Sequence, residues 1–237
     1  MIELGGKYNI GIGLGSLFYV IVASDPSLGF AAARVLGGAV FSLGLLLVVV
    51  AGAELFTGNN LLAMAWAQRR ITTREVLSNW LVVCVANGTG AAGLAVIVFL
   101  SGHVEMNDGA IGAAYLKIAA TKGSLPFWQA FFRGVLCNVL VCMAVWMTLA
   151  GRSVTDKVLA VVFPISAFVA AGFEHSVANM YFFPLAMMLQ ASAGAAVDFS
   201  WLWRNLVPVI AGNLVGGSVL VALVYYVIYR RPARGLG

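Results

Sequence analysis

The chain has 237 residues, 62% of them hydrophobic and 10% charged, with a mean hydropathy of +0.96. A soluble globular domain carries roughly 45–50% apolar and about 25% charged residues, so there is too little charge here to cover a water-facing surface, and the sequence is that of an integral membrane protein. The 6 prolines and 27 aperiodic glycines exclude collagen and low-complexity disorder, and a net charge of +5 spread along the chain is no nucleic-acid footprint.

A helix that crosses a bilayer needs about 20 mostly apolar residues, and six stretches are read as such spans. The first runs from about Tyr8 to Ala23 and stops at Ser24-Asp25-Pro26-Ser27; Glu3 upstream and a poor cleavage site argue against a signal peptide. The second runs from about Arg34 to Ala67 and is too long for one simple span. The third runs from about Asn79 to Leu100, followed by a polar, Gly-containing loop from Ser101 to about Ser124 that holds His103. The fourth covers about Phe127 to Ala150, the fifth, again overlong, about Val158 to Ala191, and the sixth about Leu206 to Tyr229. Strand alternation is absent, which argues against a barrel. Cys84, Cys137 and Cys142 lie in apolar stretches without metal-type spacing and read as small buried hydrophobes.

Basic residues set the orientation. With a cytoplasmic N-terminus, the cytoplasmic segments hold Lys7, Arg69, Arg70, Arg74, Arg152, Lys157, Arg230, Arg231 and Arg234, and the other side holds Arg34, Lys117, Lys122, Arg133 and Arg204. The excess favours both termini inside.

The two overlong segments share the pattern A-G-x-E-x-x-x-x-N, as Ala51-Gly52-Ala53-Glu54 to Asn59 and as Ala171-Gly172-Phe173-Glu174 to Asn179. Asn87-x-x-Gly90 in the third segment corresponds to Asn213-x-x-Gly216 in the sixth. The first three helices therefore read as a distant copy of the last three. An odd number of spans per copy makes the repeat inverted, with helices two and five interrupted near the midplane. We expect a single channel domain, with repeat 1 over about 1–100 and repeat 2 over about 125–230. Asn59 and Asn179 are expected to cap the restarting half-helices. Half-helix N-termini approaching from opposite faces would offer positive potential and free N–H groups to a small anion.

Glu54 and Glu174 are the acids deep in the apolar spans, where a charge needs a partner or a function. They read as structural, accepting bonds from backbone amides freed at each break, with both carboxylates directed away from the lumen. His175 lies within the second break, where it could give a hydrogen bond or a proton to a weak-acid anion. Thr57 is placed at the matching point of the first break and could bond the ion or His175. A hydrolase built on Ser176 is unsupported, since no G-x-S-x-G is present.

The sequence resembles the formate/nitrite transporter family in Glu54-Leu55-Phe56-Thr57-Gly58-Asn59, Gly172-Phe173-Glu174-His175-Ser176-Val177-Ala178-Asn179-Met180, Cys137-Asn138-x-x-Val141-Cys142-x-Ala144-x-Trp146 and Gly212-Asn213-x-x-Gly216-Gly217. The resemblance covers essentially the whole chain. It implies an all-α membrane protein of six transmembrane helices with an aquaporin-like inverted repeat, assembled as a homopentamer with one pore per protomer in a bacterial or archaeal cytoplasmic membrane. Helix two would be broken at Leu55–Asn59 and helix five at Glu174–Asn179. Leu45, Leu55 and Phe56 would form a cytoplasmic constriction, and Phe41, Val141 and Phe168 a periplasmic one. Thr57 and His175 would meet between them, Asn138 and Asn213 would flank the path as donors, and Lys122 would add positive potential. The implied substrate is a small monovalent anion, formate first because Gly172-Phe173-Glu174-His175 followed by Phe183-Pro184 looks closer to formate-type members. Nitrite or hydrosulfide is the alternative. No enzyme activity, cofactor, metal or nucleic-acid partner is implied. A neutral-solute channel of the aquaporin kind is a different class, and its paired Asn-Pro-Ala signature is missing. Family members carry an amphipathic helix before the first span, which is not seen ahead of Tyr8.

Overall fold

The computed structural model describes residues 10–230, apart from the side chain of Arg230. Tyr8, Glu3 and the basic residues Lys7, Arg231 and Arg234 used above lie outside the described residues. Helix α1 spans Gly11–Ala23, α2 Phe30–Phe41 and α3 Leu43–Ala51; a 3-10 turn Gly58–Leu61 leads into α4 Leu62–Ala67. Then follow α5 Thr73–Leu100, α6 Ala110–Gly123, α7 Phe127–Ala150, α8 Val154–Ala171, α9 Ser176–Ser192, α10 Ser200–Arg204, α11 Leu206–Leu214, a π-helical stretch Val215–Leu223 and α12 Val224–Arg230. There is no strand among the described residues. Five helical runs are long and apolar enough to cross a bilayer: Phe30–Ala51, Thr73–Leu100, Phe127–Ala150, Val154–Ala171 and Ser200–Tyr229. Helix α1, at 13 described residues, is shorter.

Two helices, α5 and α8, start upstream of their apolar runs because polar caps fix them. Thr72 accepts from the Glu75 N–H at 3.2 Å while Glu75 accepts from the Thr72 N–H at 2.7 Å, a reciprocal cap that starts α5 before Asn79. Ser153 and Asp156 form the same box ahead of α8. The segment read as a polar loop, Ser101 to Ser124, is corrected: most of it is α6. This helix buries Ile111, Tyr115 and Ala119, while Lys117, Thr121 and Lys122 face a cavity.

Helix pairs α7 with α11, α2 with α8 and α5 with α9 pack along one another. On α11 and the π stretch, a Cβ at Gly212 would collide with the Phe131 carbonyl, and one at Gly216 with the Val135 carbonyl. Backbone therefore meets backbone, the packing that small residues allow where water supplies no drive between helices. Large apolar side chains such as Leu81, Ile97, Leu100 and Phe132 stay exposed along α5 and α7, a surface suited to lipid or another membrane chain.

Candidate functional site

Both interruptions are built alike. Helix α3 ends at Gly52 and α8 at Gly172, each with φ of 75°, the left-handed region that a Cβ disfavours. The Ala53 N–H then donates to the Val48 carbonyl at 2.9 Å and the Phe173 N–H to the Phe168 carbonyl at 3.0 Å, closing each helix with a Schellman turn. The chain leaves the helix through Gly52–Thr57 and Gly172–His175, so each interruption starts at its glycine, ahead of Leu55 and Glu174.

An asparagine clamps each interruption. Asn87 of α5 accepts from the Phe56 N–H at 2.9 Å and donates to the Glu54 carbonyl at 3.1 Å. Asn213 of α11 accepts from the Ser176 N–H at 3.0 Å and donates to the Glu174 carbonyl at 3.0 Å. These bonds satisfy main-chain groups that would otherwise be orphaned away from water. The carboxylates are held by side-chain amides. Glu54 Oε2 accepts from Asn59 at 2.9 Å and Asn79 at 3.3 Å; Glu174 Oε2 accepts from Asn179 at 2.7 Å and Asn205 at 3.2 Å.

Three expectations are thereby corrected. Asn59 and Asn179 are not N-caps; Thr57 precedes the 3-10 turn and His175 precedes α9, while the two asparagines turn to the carboxylates five residues earlier. The carboxylates do not take freed backbone amides, because Asn87 and Asn213 already hold the Phe56 and Ser176 amides. Glu174 does not point away from open space. It lines a cavity, with its Oε1 2.9 Å from Lys122 Nζ.

His175 is 2% exposed and is itself the cap of α9, its Nδ1 accepting the Ala178 N–H at 3.3 Å. A ring nitrogen that accepts carries no proton, so the bond pattern assigns the neutral tautomer with hydrogen on Nε2. Nε2 lies 3.1 Å from Thr57 Oγ1 and donates to it, which frees the Thr57 hydroxyl hydrogen for another acceptor. In the repeat register Leu55, not Thr57, is the counterpart of His175. Thr57 still stands directly before its restarting helix because the first interruption is longer, six residues against four.

A cavity of about 340 Å³ reaches His175. Its wall carries Arg34, Lys117, Lys122 and Arg133 against the single carboxylate of Glu174. Arg34 also closes the end of α8, its Nε donating to the Ala170 carbonyl at 2.9 Å, where the helix dipole favours a cation. Phe41, Phe168 and His175 separate this vestibule from a second space, too tight for a water, which Ile12, Leu45, Leu55, Val141 and Ile165 also line. Phe41 meets Phe168 edge-on with centroids 5.6 Å apart, and Phe168 stacks on His175 at 5.9 Å.

Leu45, Leu55, Phe41, Val141 and Phe168 thus surround one narrow space. Phe56 does not line it; its amide is held by Asn87. Asn138 and Asn213 line neither cavity. Both amide hydrogens of Asn213 go to the Gly134 and Glu174 carbonyls, and Asn138 Nδ2 lies within 2.7–3.2 Å of Asn60 Oδ1 and of the Thr57 and Asn213 carbonyls. Sequence reasoning missed Asn79, Asn205, Arg34, Ile12 and Ile165. A signal existed for the first two, since Asn79 precedes Asn87 by the same interval as Asn205 precedes Asn213. Among the described residues no group of three or more His, Cys, Asp or Glu could hold a metal.

Comparison with known proteins places this geometry. The family model described as Formate/nitrite transporter matches residues 8–227. Formate channel FocA of Escherichia coli (strain K12) is 39% identical over 236 residues, covering 93% of this chain and 83% of that one. A probable formate transporter of Methanothermobacter thermautotrophicus is 37% identical over 242 residues, covering 95% and 86%. A solved structure of a pentameric formate channel with formate bound superposes with a TM-score of 0.84 at 36% identity, covering 95% of both chains. An FNT family ion channel superposes with a TM-score of 0.82 at 28% identity, covering 95% of this chain and 89% of that one.

Proposed function

Since the chain belongs to the formate/nitrite transporter family, we propose that it is a pore for a small monovalent weak-acid anion, formate in the first place. The observation that carries this is the position of His175, shared by a cationic vestibule and a narrow apolar space and bonded to Thr57. The family is one of transporters, and no enzymatic step is assigned here. The channel is one domain made of two inverted repeats. It assembles as a homopentamer in the cytoplasmic membrane with both termini cytoplasmic, so that the vestibule opens on the outer side.

The anion is drawn in by the field of Arg34, Lys117 and Arg133 and passes the Lys122–Glu174 pair, whose charges cancel. At the partition it meets His175, which lines both spaces and whose Nε2–H is held by the buried Thr57 oxygen. Crossing the space lined by Leu45, Leu55, Val141 and Ile165 as a bare ion would be very costly, so the substrate crosses as the neutral acid. The proton comes from the imidazolium, which is charged by a proton from water in the vestibule: His175 gives one ring proton to the anion, and the ring is left neutral. Charging the ring requires a proton on Nδ1, which displaces the Ala178 N–H from its cap.

The test is flux into liposomes reconstituted with the full chain, comparing formate, nitrite and hydrosulfide with water and glycerol. Formate flux is expected. Nitrite or hydrosulfide flux without formate flux moves the substrate assignment within the family, and solute permeability without any anion flux overturns the reading. His175→Ala should leave a folded protein whose flux has lost the wild-type pH dependence; an unchanged pH–flux curve would make the imidazole purely structural.

A further inference from the structure

We infer that Asn205 is a positioning residue that fixes the Lys122–Glu174 pair over the anion path, an inference that rests on reading the vestibule as that path. Asn205 sits between α10 and α11, 1% exposed. Its Nδ2 donates to the Lys122 carbonyl at 2.9 Å and to Glu174 Oε2 at 3.2 Å, and its Oδ1 accepts from Asn179 at 2.6 Å. Both amide hydrogens are spent, so Asn205 gives nothing to a passing anion and acts through its neighbours.

These bonds close a ring. Asn205 holds the backbone of Lys122 at the end of α6, it holds Oε2 of Glu174, and Lys122 Nζ returns to Oε1 of Glu174 at 2.9 Å. A lysine ammonium is a point charge on a flexible four-carbon stem, so anchoring its backbone to the carboxylate it serves determines where that charge stands.

The other interruption supplies an internal comparison. Asn79 bonds Glu54 and Asn59 as Asn205 bonds Glu174 and Asn179. Among the described residues, however, no lysine pairs with Glu54 and no hydrogen bond ties Asn79 to a lysine backbone. The bond to the Lys122 carbonyl is what the second triad adds, and it is on the side where the cationic vestibule lies.

The experiment uses the full chain in liposomes with formate as the probe. Asn205→Ala should raise the half-saturating formate concentration roughly tenfold, the equivalent of about one hydrogen bond to a charged group, with a smaller change in maximal rate. In a Lys122→Met background the same substitution should leave the half-saturating concentration where Lys122→Met put it. Equal effects in both backgrounds, a fall in maximal rate alone, or an equal rise from Asn79→Ala would overturn the inference in favour of general loosening of the interruption. If Asn205→Ala does not assemble, Asn205→Asp keeps the size and the acceptor for Asn179, and its carboxylate cannot donate. Its half-saturating concentration relative to wild type should fall as the pH is lowered, because the protonated acid regains a donor. A ratio independent of pH overturns the inference. Absence of formate flux in the wild type would instead fall on the substrate assignment of the proposed function, and absence of flux for every anion of the panel on the function itself.

Discussion

The Lys122–Glu174 pair sets up a charge test with a calculable outcome. Glu174 is 4% exposed and Lys122 18% at the side chain, so Lys122→Met strands a carboxylate in a nearly dry wall. Breaking a buried pair from one side costs about 3–5 kcal/mol; the partial wetting of Lys122 points to the lower end, about 3 kcal/mol. Glu174→Gln in the same chain removes the stranded charge and keeps an amide oxygen for Asn179 and Asn205, so the double variant should recover about 2 kcal/mol of that loss. Transport should follow. A like charge held about 6 Å from a passing anion, at an effective permittivity of about 20, repels it by about 3 kcal/mol, roughly a hundredfold in occupancy. Formate flux should therefore be lower in Lys122→Met than in Lys122→Met/Glu174→Gln. The assays are thermal unfolding in detergent and formate uptake by liposomes. Equal melting temperatures and equal fluxes for the single and double variants would refute the view that Lys122 neutralises Glu174.

Other expectations follow from the packing and the clamps. Gly212→Ala sets a Cβ against the Phe131 carbonyl, a backbone atom that no rotamer can move, and should destabilise the protein by about 1–3 kcal/mol, read as a lower melting temperature. Asn213→Ala orphans the Ser176 N–H and the Glu174 carbonyl, at about 1–3 kcal/mol for each group left dry; stability equal to wild type would mean water takes its place. Burial pushes the His103 imidazole, in the connector outside the spans, below its ordinary value of 6.5. A depressed value favours the neutral ring in the folded state, so this contribution is present above about pH 6.5 and is lost as the pH falls below it. His103→Gln should flatten the fall in melting temperature over that range.

The interruptions were legible in the sequence because a glutamate within an apolar run is conspicuous, and here two of them carry the same flanking alanine, glycine and asparagine. What the asparagines do was not legible. Cap preference is a local rule, and it assigned Asn59 and Asn179 to helix starts. The competing partner of each is a carboxylate five residues earlier, brought within reach only when the chain leaves the helix at Gly52 or Gly172. Helix α6 escaped notice because it serves two surroundings: Ile111, Tyr115 and Ala119 pack inward while Lys117 and Lys122 face the cavity, and the mixture dilutes the hydropathy that marks a span. The starts of α5 and α8 were read too late because Thr72–Glu75 and Ser153–Asp156 are polar and lie ahead of the apolar signal. Asn79 and Asn205 were overlooked because a single asparagine near the end of a span resembles any surface residue until its mate in the other half is aligned with it.

Each interruption is fastened from its own stretch of polypeptide. Asn79 and Asn87 serve Glu54, Asn59 and Phe56, while Asn205 and Asn213 serve Glu174, Asn179 and Ser176. Nothing in 101–109 takes part in those fastenings. A gene cut at that connector would therefore yield two fragments that each arrive with their kink already tied, and co-translation could suffice to rejoin them. Several bonds left to form across the seam, Thr57 with His175 and Asn138 with Thr57 and Asn60, lie at the midpoint of the molecule. Fragments that rejoin along their flanks but miss that midpoint would be a sealed plug, so complementation and conductance should appear together.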